Sequence, residues 1–171
     1  MNSGTKQSPM ELSFRAGELM VRYAATLDAG ELETWAGMFS DTASYTVASA
    51  ENVKEGWPLL LINDADRSRI GDRVRYVREF WAGNYNDYTT RHVLSLPRVL
   101  ASDAAGIEFE QSFSLYLTET DLSGGQGGHS SLLCVGRYVC RTEGLDELCR
   151  ISRLQAVLDT FTLTRSLVYP V

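Results

Sequence analysis

Residues 106–119 read GIEFEQSFSLYLTE, and apolar side chains alternate with polar ones along nearly the whole stretch. Successive side chains of a strand point to opposite faces, so this period of two predicts a long strand with one buried face. Turn-forming sequences bound the strand at SDAAG (102–106) and SGGQGG (123–128). The predicted buried face comprises Ile107, Phe109, Phe113, Leu115 and Leu117.

Three more strands are predicted around this one, at about 91–100, 129–142 and 148–160. A turn-forming sequence, EGLDE (143–147), separates the last two. Because the four strands follow one another with short connections, they predict an antiparallel meander. The C-terminal half of the chain is therefore expected to form a sheet.

The N-terminal half predicts helices. Ser8, Pro9 and Glu11 form a capping box, which indicates that a first helix begins at Pro9. It is expected to end at DAG (28–30), where Gly30 can adopt the left-handed conformation. Apolar residues recur at helical spacing between these limits, and they predict the buried face. They are Leu12, Ala16, Leu19, Met20, Tyr23, Ala24 and Leu27.

A second, short helix is predicted at 31–39, followed by a short strand at 42–47 and a loop at 51–64. A third helix is expected to open at Asn63 or Asp64. In each of these helices the apolar residues lie on one face. They are Leu32, Trp35, Ala36 and Phe39 in the second helix, and Ile70, Val74, Val77 and Trp81 in the third.

Helices followed by strands predict an α+β fold, in which N-terminal helices pack in a strongly curved antiparallel sheet to form a cone. The 171 residues, of which 44% are hydrophobic, suffice for one ordinary core. Residues 1–8 are predicted to be a flexible N-terminus, and residues 9–171 a single domain.

Charge and hydropathy exclude several classes of partner. Asp and Glu outnumber Lys and Arg by 22 to 16, which argues against a nucleic-acid or anionic-membrane partner. No window approaches the ~20 apolar residues of a transmembrane helix, and a cytoplasmic protein is expected. Cys134, Cys140 and Cys149 lie in apolar surroundings and are predicted to be buried thiols.

Metal ligands are scarce. The chain has two histidines, His92 and His129, and neither an H-E-x-x-H nor a C-x-x-C motif. Cys134 and Cys140 are predicted on one strand, where their separation of roughly 20 Å prevents them from sharing a metal. We expect no metal site, no cofactor site and no catalytic residue. His129, beside the glycine-rich turn, is expected to be solvated.

An acid–base site within the cone is the main alternative. A carboxylate, a tyrosine and a histidine in a dry cavity can have pKa values suited to proton transfer. Each candidate also has a structural explanation: Asp28 and Asp41, for example, fall at predicted helix ends. His92 itself fits a general base, a metal ligand or a structural group beside Arg91. The pocket candidates are Tyr23, Asp28, Asp41, Tyr45, His92, Gln111 and Tyr116.

Several stretches carry a family resemblance. YAATLDAGELETWAGMFSDTASYTV (23–47) is similar to the opening of the nuclear transport factor 2-like superfamily, whose cone-shaped fold is also called cystatin-like. Taken in order, five further stretches resemble the small (beta) subunit of Rieske-type aromatic-ring-hydroxylating oxygenases. The pattern is most like the compact beta subunits of salicylate 5-hydroxylase and terephthalate dioxygenase. The stretches are ENVKEGWPLLLINDADRSRIGDRV (51–74), RHVLSLPRVL (91–100), FSLYLTE (113–119), CRISRLQAVLDT (149–160) and SLVYPV (166–171).

The resemblance implies a non-catalytic, structural subunit of an oxidoreductase that hydroxylates a one-ring aromatic acid: salicylate, terephthalate or another substituted benzoate. In that family the alpha subunit holds a Rieske [2Fe-2S] cluster and a mononuclear Fe(II). A ferredoxin and an NAD(P)H reductase deliver electrons to it. The composition agrees, since the two centres together need more histidines than this chain has. A beta trimer within an α3β3 assembly is expected. The alternatives are a stand-alone cone-pocket isomerase or dehydratase, and a small-molecule binding module.

Interfaces are predicted from the same resemblance and from residue type. Sheet faces and SLVYPV (166–171) are expected to meet neighbouring beta chains, while loops near 51–64 and 80–92 meet the alpha subunit. Aromatic and arginine side chains suit the core of an interface. The candidate structural or interface residues are Trp57, Trp81, Tyr85, Tyr88, Arg91, His92, Tyr169 and Pro170.

Overall fold

The computed structural model describes residues 8–81, 88–119, 128–145, 149–163 and 167–171. The prediction of a flexible terminus falls mostly on residues 1–7, outside the described residues. The α+β class with a curved open sheet is confirmed. The helices are α1 (Pro9–Asp28), α2 (Leu32–Gly37), α3 (Ala50–Glu55) and α4 (Arg67–Tyr76), which continues into a π-helical turn (Val77–Trp81). The strands are β1 (Phe39–Ser49), β2 (Ile62–Asp64), β3 (Tyr88–Leu94), β4 (Arg98–Asp103), β5 (Gly106–Glu119), β6 (His129–Glu143) and β7 (Arg150–Leu158).

Helix α1 begins and ends as its sequence predicts. The Glu11 N–H donates to the Ser8 hydroxyl at 3.2 Å, and the Ser8 N–H donates to the Glu11 carboxylate at 2.6 Å. At the other end Gly30 has a φ of 70°. The Glu31 N–H there bonds to the Thr26 carbonyl at 2.8 Å, and the Gly30 N–H to the Leu27 carbonyl, as in a Schellman motif. All seven apolar positions predicted for the helix are buried.

The sheet order is β2-β1-β7-β6-β5-β3, and β4 pairs with β5 beside β3. The predicted meander is confirmed for β5, β6 and β7, whose neighbouring pairs are antiparallel. One pair departs from the predicted antiparallel arrangement, because β1 runs parallel to β7. The N-terminal half thus supplies two strands to the sheet as well as the helices. Parallel neighbours need a long crossover, and everything between β1 and β7 serves as that connection.

The predicted strand at 91–100 is in fact two strands, β3 and β4. Pro97 lies in the break; it fixes its own φ and cannot donate to a ladder. At the same break the Ser95 N–H bonds to the Ser112 carbonyl, and the Ser112 N–H bonds to the Ser95 hydroxyl. Both strands therefore pair with β5 but are separated by residues 95–97.

The predicted boundaries at 31–64 need correction. Helix α2 ends at Gly37, and β1 begins at Phe39 rather than at residue 42. The predicted loop at 51–64 contains α3 and β2. The Ser49 hydroxyl caps α3 by accepting from the Asn52 N–H at 3.1 Å, and Gly56 ends it with a φ of 68°.

The third predicted helix starts later than expected. Asp66 is the N-cap of α4, since its carboxylate accepts from the Arg69 N–H at 3.0 Å, whereas Asp64 ends β2. Ile70, Val74 and Val77 are buried as predicted, but Trp81 is only partly buried. The π-helical turn changes the phase of the stripe before it reaches that residue.

The core lies between the helices and the concave face of the sheet. All five apolar side chains predicted on one face of β5 are buried. Helix α1 packs against β3, β4 and β5. Cys134 and Cys140 are buried as predicted, but Cys149 is partly exposed. Among the described helices, none is long and apolar enough to cross a bilayer.

Candidate functional site

Two pocket candidates, Tyr23 and Tyr45, meet inside the fold. Tyr23 lies on α1 and Tyr45 on β1, and both side chains are fully buried. The Tyr23 hydroxyl donates to the main-chain oxygen of Val171 at 2.5 Å, and the Tyr45 hydroxyl donates to the same oxygen at 3.2 Å. The Val171 N–H donates to the Tyr45 oxygen at 2.9 Å. These hydroxyls are therefore engaged by the main chain of the protein itself.

Aromatic rings surround these hydroxyls. Trp35 and Phe39 each pack edge-on against both tyrosines, with centroid separations between 5.4 and 6.5 Å. Burial raises the pKa of Tyr23 and that of Tyr45 above the ordinary value for a phenol. Both groups therefore remain neutral donors at physiological pH, and neither has the depressed pKa of a tyrosine that releases a proton.

Asp28 and His92 form the second polar group in the interior. The His92 Nδ1 lies 2.7 Å from one carboxylate oxygen of Asp28, and the His92 backbone N–H donates to the other at 3.0 Å. The Thr90 hydroxyl also donates to the carboxylate, at 3.1 Å. His92 thus ties β3 to the last turn of α1 within its own chain.

The electrostatics of Asp28 follow from these contacts. Burial alone would raise the pKa of the carboxyl, but the hydrogen bonds from His92 and Thr90 outweigh burial and hold the pKa below its ordinary value. The His92 side chain is fully buried, and its Nε2 has no hydrogen-bond partner among the described residues. A carboxylate with a lowered pKa is a better anchor for a histidine than a general base.

The remaining pocket candidates do not join either group. Asp41 is exposed, and Tyr116 points to the outer face of the sheet with 41% of its surface exposed. Gln111 is buried, but its amide nitrogen donates to the Ser95 carbonyl at 2.6 Å, in the break between β3 and β4. The predicted pocket therefore divides into two buried pairs, one separate buried residue, Gln111, and two surface residues.

Tyr138 belongs to the interior and was absent from the sequence-based candidates. Its ring stacks on Phe113 with a centroid separation of 4.2 Å, and it packs edge-on against Tyr23 at 5.7 Å. Its hydroxyl has no hydrogen-bond partner among the described residues. The period of two along β6 would have identified it, because Tyr138 shares a face with Cys134 and Cys140.

Donors for a metal do not converge in the described residues. No group of three His, Cys, Asp or Glu side chains there has the geometry to hold an ion. His129 is exposed, as predicted, and burial raises the pKa of the Cys134 thiol to about 12. That thiol is therefore protonated, whereas metals bind the thiolate.

The interface candidates occupy varied positions. Trp57 is 51% exposed and Arg91 is exposed, while Tyr88 and Tyr169 are partly buried and pack edge-on at 5.2 Å. Pro170 is buried within its own chain, where it offers no broad surface to a neighbour. Tyr85 lies outside the described residues.

Residues 167–171, the tail segment, are held at a second point. The Arg73 side chain donates two hydrogen bonds to Asp64, from Nε at 2.5 Å and from Nη2 at 2.9 Å. Its Nη1 donates to the Val168 carbonyl at 3.4 Å. The tail segment therefore crosses from this ion pair, through the contact between Tyr88 and Tyr169, to the buried tyrosines.

The outer-sheet patch and the 57–60 segment are two of the exposed apolar surfaces in the described part of the chain. The outer-sheet patch consists of Arg91, Val93, Tyr116 and Leu132; Arg91 and Leu132 lie directly opposite Tyr116 on its two neighbouring strands. Val93, Tyr116 and Leu132 are each at least 41% exposed. The second surface is the 57–60 segment, with Trp57, Leu59 and Leu60 exposed. Clustered apolar residues at a surface mark interaction sites.

Comparison with known proteins gives a consistent result. The family described as "Ring hydroxylating beta subunit" matches residues 22–165. The small subunit of anthranilate 1,2-dioxygenase from Burkholderia cepacia is 25% identical, over 95% of this chain and 96% of that one. The beta 2 subunit of the terminal oxygenase component of terephthalate 1,2-dioxygenase from Comamonas sp. is 26% identical, over 85% and 89%.

A solved structure shares the fold. The beta subunit assigned to an aromatic-ring-hydroxylating dioxygenase of Novosphingobium aromaticivorans superposes with a TM-score of 0.79 at 21% identity, covering 93% of this chain and 96% of that chain. The family match spans most of the sequence, both relatives are named as dioxygenase subunits, and the resemblance found in the sequence is confirmed. The chain belongs to the family of ring-hydroxylating beta subunits.

Proposed function

We propose that this chain is the non-catalytic, structural beta subunit of a Rieske non-haem iron oxygenase and supports the assembly of the catalytic alpha subunits. The observation that carries this proposal is the engagement of the interior polar groups by the chain itself. Tyr23 and Tyr45 bind Val171, and Asp28 binds His92. A cone filled in this way favours a supporting role over a substrate pocket.

The small number of possible iron ligands in this chain supports the assignment of the iron centres to the alpha subunit. A Rieske cluster needs two histidines and two cysteines, and a facial iron site needs two more histidines. This chain has two histidines in all, which is too few for both centres. The described residues also offer no group of three His, Cys, Asp or Glu side chains that could hold an ion. We therefore assign the [2Fe-2S] cluster and the mononuclear Fe(II) to the alpha subunit.

The relatives suggest the substrate class of the whole oxygenase. The two curated relatives are named for anthranilate and terephthalate, both of which are one-ring aromatic acids. We propose that the parent enzyme hydroxylates a one-ring aromatic acid, such as salicylate, terephthalate or another substituted benzoate. A ferredoxin and an NAD(P)H reductase would deliver electrons to the alpha subunit in the cytoplasm.

The exposed surfaces suggest how the assembly is built. We assign the outer-sheet patch to contacts between beta chains, because its apolar side chains lie in adjacent positions on three strands. The 57–60 segment, with Trp57 at its start, is assigned to the alpha subunit. An aromatic side chain that desolvates fully at an interface contributes strongly to binding. Three copies of each contact would close an α3β3 ring.

An acid–base enzyme of the same fold is the second candidate, and the Asp28–His92 pair is the observation that favours it. The pair has a buried histidine whose Nε2 has no hydrogen-bond partner among the described residues. Two findings argue against an acid–base enzyme. Asp41 and Tyr116 are at the surface, and the hydroxyls of the buried tyrosines are hydrogen-bonded to Val171. The hydrogen bonds between the buried tyrosines and Val171 also argue against a small-molecule binding module, because they fill the interior where a ligand would bind.

Purification with and without the alpha subunit tests the proposal. The chain alone should carry no iron and should not turn over an aromatic acid. Co-expression with a neighbouring gene that encodes C-x-H followed by C-x-x-H should give a larger, iron-containing complex. Light scattering gives its mass, and metal analysis gives its iron content. Turnover by the isolated chain would contradict the assignment.

A further inference from the structure

The contact between the tail segment and the two buried tyrosines has the form of a bound ligand. Val171 is 1% exposed, and residues 167–171 belong to no helix or strand. Its main-chain oxygen accepts two phenol hydrogen bonds, and its N–H donates a third to Tyr45. Val171 is therefore held here by side chains on α1 and β1 rather than by a ladder of backbone hydrogen bonds.

The residues around Val171 determine which chemical groups can be bound at its position. The aromatic box consists of Tyr23, Trp35, Phe39 and Tyr45, each of which is 0% exposed. Its rings leave two phenol donors directed at one oxygen. A buried hydroxyl without a hydrogen-bond partner destabilises the fold, so the box favours an occupant that supplies an acceptor. A residue that offers its own C=O oxygen, its N–H and a branched aliphatic side chain satisfies every group that Val171 now satisfies.

We propose that the aromatic box is a binding site for an N-acylated branched aliphatic amino acid, and that Val171 occupies it as a ligand in cis. The occupant's own carboxyl-end oxygen accepts from Tyr23 and Tyr45, its N–H donates to the Tyr45 oxygen, and its side chain takes the buried place of the Val171 side chain. The cone is thus closed to solutes while the tail segment is in place. This inference does not depend on the oxygenase assignment.

A chain shortened to end at Tyr169 tests the site with a ligand in trans. Without Val171 the melting temperature should fall below that of the full chain. Acetyl-Pro-Val should restore part of the loss in a saturable way, whereas acetyl-Pro-Gly, which lacks the aliphatic side chain, should bind more weakly. Tyr23→Phe together with Tyr45→Phe in the shortened chain should abolish the gain. Equal effects of the two peptides, or a gain unchanged by the tyrosine substitutions, would overturn the proposal.

The full-length protein provides a test that does not depend on the folding of the shortened chain. Hydrogen exchange at the Val171 amide should be slow in the wild type. Tyr45→Phe should accelerate it by about fivefold or more, as expected for the loss of one buried hydrogen bond. Tyr76→Phe, at a half-exposed tyrosine on α4, is the matched control and should leave the rate unchanged. An unprotected Val171 amide in the wild type would contradict occupancy of the box.

Discussion

The Asp28 carboxylate lies 2.7 Å from the Nδ1 of His92, and this pair joins the last turn of α1 to β3. A carboxylate at a helix C-terminus is disfavoured by the helix dipole. Here the His92 backbone, the His92 ring and the Thr90 hydroxyl all lie within hydrogen-bonding distance of it. The pair therefore fixes the helix against the sheet, and the contact explains why a scarce histidine is placed in the interior.

Removal of the His92 ring should destabilise the fold. His92→Ala leaves Asp28 without its main partner and is expected to lower the free energy of unfolding by about 1–3 kcal/mol. Urea denaturation measures the change. The matched control is His129→Ala at an exposed position, which should change stability by less than about 0.5 kcal/mol. Equal losses in the two variants would show that the pair contributes nothing specific.

The same pair predicts how stability depends on pH. Because the folded-state pKa of Asp28 is lowered, its ionised form stabilises the fold. That contribution is complete above the unfolded-state pKa of about 4 and is lost as the pH falls through the lower, folded-state value. The melting temperatures of the wild type and Asp28→Asn should therefore differ most near neutral pH and converge in acid. A difference that stays constant over this range would rule out the ionised carboxylate as its source.

The ion pair between Arg73 and Asp64 should matter more than a surface pair. Its side chains are only 17% and 8% exposed. Arg73→Met leaves the Asp64 charge largely buried and unpaired, which should cost about 3 kcal/mol. The double variant Arg73→Met/Asp64→Leu should recover part of that loss, because no unpaired charge remains. Chemical denaturation measures the coupling in four proteins: the wild type, Arg73→Met, Asp64→Leu and the double variant. If the losses in unfolding free energy of the two single variants simply add up in the double variant, the two residues are not coupled.

The outer-sheet patch should control self-association. Leu132→Asp places a charge at a side chain that is 46% exposed, so the monomer should fold while the contact between beta chains weakens. A hot-spot loss of about 2 kcal/mol corresponds to a roughly 30-fold weaker dissociation constant. Sedimentation velocity measures it. Leu100→Asp, at a 43% exposed leucine on β4, is the matched control. If it dissociates the oligomer and Leu132→Asp does not, the interface lies elsewhere.

Local patterns in the sequence predicted the elements whose stability is local. The capping box at Ser8, the left-handed Gly30 and the alternation along β5 each depend on neighbours within a few residues. The error in sheet topology arose where distant segments meet. Nothing near β1 indicates that it pairs in parallel with β7, some 100 residues later, and only the folded sheet brings these strands together.

The interior site illustrates the same limit. Tyr23 and Tyr45 were among the sequence-based candidates because a tyrosine in a dry cone can act as a proton donor beside a carboxylate and a histidine. Their acceptor is the main chain of Val171, and a main-chain oxygen carries no residue-type signal. Asp28 was interpreted as a residue at a helix end, which is where it lies. Its partner is 64 positions away on β3, and helical periodicity gives no information about that distance.

The central claim is that this subunit supports an oxygenase without performing its chemistry, and turnover by assembled complexes tests it most directly. Three complexes of the alpha subunit would be isolated: with the wild-type chain, with His92→Ala and with Tyr23→Phe. The turnover of each complex would be expressed per iron-loaded alpha subunit. We predict that the variants lower the yield of complex but leave the turnover of each assembled alpha subunit unchanged. Normal assembly with intact iron and no turnover would contradict the claim.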